Sequence, residues 1–135
     1  MAEPLSQHDL VLILARNFAS HLATAVFLVD AEGSVIYFNE GAERLLGARF
    51  VEGRGMTREE YTELFEVSDE HGNRLADMET PIGIAIGQRE PAHRKLTLRG
   101  VDGVRRPIEA TAFPLLAHAD EPVGAIVIFW EPSGS

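Results

Sequence analysis

Eight consecutive apolar residues, Val123 to Trp130, lie close to the C-terminal end of the chain. A β-strand of this composition has no polar side, so other parts of the protein must cover it on both faces. The chain is therefore expected to fold around a sheet that carries packed material on each side of this strand.

Four further strands are expected in two antiparallel pairs. Residues 25–29 and 35–38 are rich in β-branched and aromatic side chains, and a turn-forming run separates them. Residues 95–99 and 108–112 alternate apolar and polar side chains on either side of an Asp-Gly turn, and Pro114 is expected to end the second of these strands. Together with the helices, these patterns predict an α+β fold with a five-stranded antiparallel sheet.

Three short helices are expected between the two pairs of strands. Asn39 is a typical N-cap residue, and Gly47 is placed to end the same helix in a left-handed conformation. Thr57 and Glu60 have the spacing of a capping box, and Thr80 followed by Pro81 is typical of the start of a helix. We expect these helices on one face of the sheet.

An amphipathic helix is expected over residues 1–21. At 100° per residue its apolar side chains span about 200°, roughly twice the arc that one packing face requires. One side can cover the outer face of the sheet, and the other is left for a second copy of the chain. The pattern predicts a homodimer through this helix.

Composition excludes several classes of protein. Twelve basic against twenty-one acidic residues give a net charge of −9, which disfavours nucleic acid as a partner. The absence of cysteine rules out disulfides, thiolate metal sites and cysteine nucleophiles. The longest apolar run near the N-terminus, Leu10 to Ala15, is too short for a signal peptide or a membrane span, so we expect a cytoplasmic protein without membrane contact.

Catalytic and metal-binding patterns are also missing from the sequence. It contains no nucleophile elbow, phosphate loop or zinc-protease helix, so we expect no enzymatic activity. His8 and His21 point in different directions on the first helix, and the run from His118 to Glu121 is interpreted as a polar loop rather than as a metal site. No bound metal is predicted.

Two segments, VFLVDAEGSVIYFN at residues 26–39 and AERLLG at residues 42–47, resemble the opening of a PAS domain. The downstream residues follow the order seen in bacterial PAS sensor modules; they are Gly72, Pro81, Gly87, the Asp102–Gly103 turn, Pro114 and Gly124. The resemblance covers residues 22–131 and leaves residues 132–135 as a flexible tail. The Asp-x-Thr signature that usually leads from the last strand into a signalling helix is missing, so we expect no output domain in this chain.

The resemblance implies a ligand space between the inner face of the sheet and the short helices. By strand alternation, ten apolar side chains are expected to line it: Phe27, Val29, Phe65, Ile82, Ile86, Leu98, Ala110, Ala112, Ile126 and Ile128. This set fits either a filled core or a cavity for a small apolar ligand.

Flavin and haem are both disfavoured as cofactors. Flavin-binding, light-sensing PAS domains need a cysteine after the second strand and amide side chains on the late strands, where this chain has Leu98 and Ile126. Haem-binding members use a histidine on the helix before the third strand, and residues 81–88 contain none. The resemblance thus implies a sensory and protein-interaction module that responds through its interior pocket or its dimer interface, with a signalling protein as partner. The alternative is a carrier of a small hydrophobic ligand without a signalling role.

Overall fold

The computed structural model of the protein describes residues 7–51, 55–117 and 121–132. Its helices are α1 (Gln7–Ser20), α2 (Glu40–Leu46), α3 (Arg58–Leu64) and α4 (Pro81–Gln88), with a 3₁₀ turn at Asp77–Glu79. Its strands are β1 (Ala25–Asp30), β2 (Val35–Phe38), β3 (Glu66–Ser68), β4 (Ala92–Arg99), β5 (Arg105–Leu116) and β6 (Pro122–Trp130).

All six strands form one antiparallel sheet in the order β2-β1-β6-β5-β4-β3. The α+β fold is confirmed, but the predicted number of five strands was one too low. The additional strand, β3, is only three residues long and pairs with the end of β4, where Glu66 lies opposite Arg99. Three residues are too few to show an alternating pattern, so this strand depends on its partner rather than on a local signal.

Strand β5 does not end at Pro114 as predicted; it continues to Leu116. The first residue of β4, Ala92, pairs with Ala112, so Pro114 lies beyond the reach of β4 and is opposed by Ala125 of β6 alone. A proline is tolerated where a strand is bonded on one side only.

The predicted helix ends are present in the structure. The Asn39 side chain accepts a hydrogen bond from the backbone N–H of Ala42, and Gly47 adopts the left-handed conformation with φ 68°. Thr57 and Glu60 form both bonds of a capping box, and Thr80 caps α4 ahead of Pro81. These helices begin and end where local backbone chemistry requires it.

The sheet has two covered faces, as the apolar run in β6 requires. Helices α2 and α4 lie on the face that carries Phe27, Leu98 and Ala110, here called the inner face. Helix α1 lies across β1 and β6 on the outer face, where the fully buried Ala19 packs against Val26 and Ile126. Residues 1–6 of the helix predicted over 1–21, and residues 133–135 of the predicted tail, lie outside the described residues.

Candidate functional site

A cavity of about 90 Å³ lies between the inner face of the sheet and helices α3 and α4. The sheet contributes apolar side chains from five strands: Phe27, Val67, Leu96, Leu98, Ile108, Ala110, Val127 and Phe129. The helices and the segments beside them contribute Tyr61, Phe65, Arg74, Leu75, Thr80, Pro81 and Ile82. Most of the lining is therefore apolar, with three polar residues among it, as is typical of small-molecule sites.

Aromatic rings form one wall of this cavity. The ring centroid of Phe27 lies 5.1 Å from that of Phe129 and 6.5 Å from that of Phe65, and the rings are tilted against each other. On the side of β2, Phe38 meets Phe27 edge to face at 5.6 Å. Such contacts hold large side chains in defined positions, so this wall is expected to keep its shape without a ligand.

Three polar side chains line the cavity. The Thr80 hydroxyl accepts a hydrogen bond of 3.1 Å from the Gly83 backbone N–H, so it helps to cap α4. Tyr61 comes from α3 and Arg74 from the segment that forms an isolated bridge with Ser68 at the end of β3. Arg74 is exposed and is the one charged side chain among the described residues of the lining.

Five of the ten side chains predicted to line the cavity do so: Phe27, Phe65, Ile82, Leu98 and Ala110. Val29 and Ala112 are fully buried in the same core but do not reach the cavity, and Ile86 packs against that core while partly exposed.

The prediction that Ile126 and Ile128 face inward was wrong. Both belong to the cluster beneath α1 on the outer face, while their neighbours Val127 and Phe129 line the cavity. An uninterrupted apolar strand has no polar residues to mark its outer side. The orientation of β6 is fixed instead by its pairing with β1 and β5.

Several residues that line the cavity were not predicted from the sequence. Leu96 and Ile108 follow the same alternation as Leu98 and Ala110, so that pattern could have identified them. Arg74 belongs to no periodic pattern, because it lies in an irregular segment that reaches the cavity through its bridge to β3.

Helix α1 has a second apolar face that no described residue covers. Leu10, Ile13, Leu14 and Phe18 are 46, 48, 59 and 56% exposed, whereas Ala19 on the opposite side is fully buried. At 100° per residue the four exposed side chains fall within about 140° of one another. The Arg16 guanidinium lies 4.6 Å from the ring centroid of Tyr37, a contact that helps to fix α1 on the sheet.

The charged residues of the β4–β5 hairpin are largely engaged within the protein. Arg106 Nη2 lies 2.9 Å from Asp102 Oδ2, and this hydrogen bond lowers the pKa of Asp102 below its usual value. Arg106 also donates to the Leu45 carbonyl oxygen at the end of α2. Glu66 faces both Arg99 and Arg105. This network attaches the hairpin to its neighbours.

Among the side chains that the structure describes, no three of His, Cys, Asp or Glu converge on a point where a metal ion could bind. His118 to Asp120, from the loop considered above, lie outside the described residues. No helix in the described part of the chain combines the length and the hydropathy that a membrane span requires.

Comparison with known proteins gives one family match and many structural neighbours. A family model described as the PAS fold matches residues 19–134. No curated protein sequence matches the chain. Three similar crystal structures are a PAS domain from Colwellia psychrerythraea, a LOV protein from Rhodobacter sphaeroides, and the PAS domain of nitrogen regulation protein NR(II) from Vibrio parahaemolyticus.

The three structures share the fold at low sequence identity. The Colwellia domain is 19% identical, with a TM-score of 0.61 over 90% of this chain and 96% of that one. The Rhodobacter protein is 17% identical, with a TM-score of 0.71, and the match covers 97% of this chain and 70% of that one. The Vibrio domain is 19% identical, with a TM-score of 0.58, and the match covers 87% of this chain and 97% of that one.

Proposed function

This chain belongs to the PAS family, and from that membership we propose that it is a sensory and protein-interaction module that dimerises through α1. The module carries out no reaction of its own; it changes its contacts with a second copy or with a signalling partner when its cavity or its dimer interface is perturbed. Similar folds in a nitrogen regulation protein and in a LOV protein support a regulatory role.

The exposed apolar face of α1 is the observation that carries the proposal. The opposite side of α1 already packs on the sheet. In a monomer, its other side would therefore leave four apolar side chains exposed to water; they are Leu10, Ile13, Leu14 and Phe18. A second copy related by two-fold symmetry would bury the same face on both chains. Burial of a side chain such as Leu14 or Phe18 contributes on the order of 1.5–3 kcal/mol.

Light scattering tests the dimer directly. The parent protein is expected to be a dimer at high micromolar concentration, and the double variant Leu14→Glu with Phe18→Glu is expected to be a folded monomer. Val101→Glu with Val104→Glu is the matched control, because it places the same charges on another exposed apolar pair, on the β4–β5 turn. A monomeric parent, or a double variant that remains a folded dimer, would contradict the proposal.

The cavity supports a second candidate function, a carrier for a small hydrophobic ligand. The two functions differ in what binding does to assembly. In a sensory module the dissociation constant of the dimer changes when the cavity is saturated with a neutral probe such as 1-butanol. In a carrier the probe binds and the constant stays the same.

A further inference from the structure

We propose that the cavity binds a short aliphatic carboxylate, with Arg74 holding the carboxylate group and the inner face of the sheet holding the alkyl chain. This inference rests on the proposed role of the cavity as a ligand site, and it adds the chemical class of the ligand.

Arg74 places a positive charge at the lining of the cavity. Some other arginines have carboxylate partners, such as Arg44, which pairs with Glu40 at 3.1 Å, and Arg106, which pairs with Asp102. Arg74 lines an apolar cavity, and its guanidinium forms no hydrogen bond or ion pair with any side chain that the structure describes. Guanidinium groups recognise carboxylates through paired, charge-assisted hydrogen bonds.

Helix α4 adds a second, independent source of positive potential. Its cap residue Thr80 and its first two residues, Pro81 and Ile82, line the same cavity. The N-terminal end of a helix carries a partial positive charge, which favours an anion nearby. The helix dipole and Arg74 therefore both favour a negative group in a site that is otherwise apolar.

The cavity size limits the alkyl part of the ligand. A cavity of about 150 Å³ accepts benzene. At about 90 Å³ this cavity is smaller, and by the same scale it takes about four heavy atoms. Leu96, Leu98 and Ile108 offer apolar side chains to such a chain. The propyl group of butyrate fits within this limit, and its carboxylate would extend out of the cavity towards Arg74.

The test compares butyrate with 1-butanol, which has the same chain length and no charge. The protein is titrated with each probe, and binding is followed by the NMR chemical shifts of the backbone amides. Both probes are expected to change the shifts of the residues that line the cavity. In Arg74→Gln the dissociation constant for butyrate is expected to rise about ten-fold or more, because a charge-assisted bond is lost. Binding of 1-butanol is expected to stay unchanged.

Two variants control for charge and for fold. Arg49→Gln removes the same charge from an exposed residue that does not line the cavity, so it should leave butyrate binding unchanged. Arg74→Lys keeps a cation at the site, so it should bind butyrate more tightly than Arg74→Gln does.

The outcomes separate this inference from the proposed function. If 1-butanol binds in the cavity but Arg74→Gln leaves butyrate binding unchanged, the carboxylate assignment is wrong and the cavity remains a ligand site. If neither probe binds in the high millimolar range, the assignment fails together with the cavity part of the proposed function. Dimerisation through α1 is measured separately and does not depend on either result.

Discussion

One buried amide, Asn39, joins four segments of the chain. Its side-chain oxygen accepts hydrogen bonds from the backbone N–H groups of Val26 and Ala42, at 2.9 and 3.0 Å. Its nitrogen donates to the carbonyl oxygens of Ala19, Leu22 and Thr24, at 3.1, 3.1 and 2.8 Å. The sequence identified Asn39 only as a helix cap, because its bonds to the end of α1 depend on where the folded chain brings that helix. A shift of α1 would disturb the start of α2 and of β1 together.

The two inward-facing alanines of β5 give a prediction at the scale of single residues. Ala110 lines the cavity, whereas Ala112 is fully buried in filled core. Ala112→Leu should therefore destabilise the protein by about 1–3 kcal/mol through overpacking. Ala110→Leu should lower the free energy of unfolding clearly less than Ala112→Leu does, because the added carbons enter the cavity. For the same reason it should abolish binding of 1-butanol.

Urea denaturation of the two alanine variants, each compared with the parent, measures this difference. Equal losses of unfolding free energy in both variants would show that the space beside Ala110 closes in solution.

At the scale of elements, helix ends were predictable and strand orientation was not. A cap such as Thr57 acts on backbone groups three residues away, so the relevant signal is local in the sequence. In contrast, the orientation of β6 and the formation of β3 are determined by partner strands that are distant in the sequence. The cavity likewise depends on side chains from distant parts of the chain. The two expected residues of β4 and β5 that reach the cavity, Leu98 and Ala110, lie on strands that alternate apolar with polar side chains.

The close approach of β6 to β1 gives a prediction for these elements. A Cβ atom added at Gly124 would collide with the carbonyl oxygen of Val29, a backbone atom that cannot move without shifting β1. Gly124→Ala should therefore be destabilising by about 1–3 kcal/mol, like other overpacked sites. Gly87→Ala in α4 is the matched control.

At Gly87 the added atom would meet only the flexible end of Met78, at 3.4 Å. Alanine is the better helix former, so this variant should be as stable as the parent or more stable by about 0.5–1 kcal/mol. Thermal unfolding of both variants provides the comparison. A Gly124→Ala protein as stable as the parent would mean that β1 and β6 lie further apart than described.

For the whole molecule, we predict a colourless protein without a photocycle. The sequence has no cysteine to form a flavin adduct, and the described residues that line the cavity include no histidine to bind haem iron. A cavity of about 90 Å³ is also too small for either ring system. In the visible and near-ultraviolet range the purified protein should absorb only through its aromatic side chains, and it should not retain flavin mononucleotide or haemin after desalting. A flavin or Soret band at near-stoichiometric occupancy would contradict this.

The two edge strands of the sheet determine whether molecules can associate through backbone hydrogen bonds at high protein concentration. Edge strand β2 has four residues, and Val35 at its start exchanges two backbone hydrogen bonds with Met56. Edge strand β3 has three, and the segment from Arg74 to Leu75 lies along it. Short, partly occupied edges offer little backbone to a strand from another molecule. Crowded solutions of this protein should therefore resist fibril formation, even though a helix surface remains open for specific pairing.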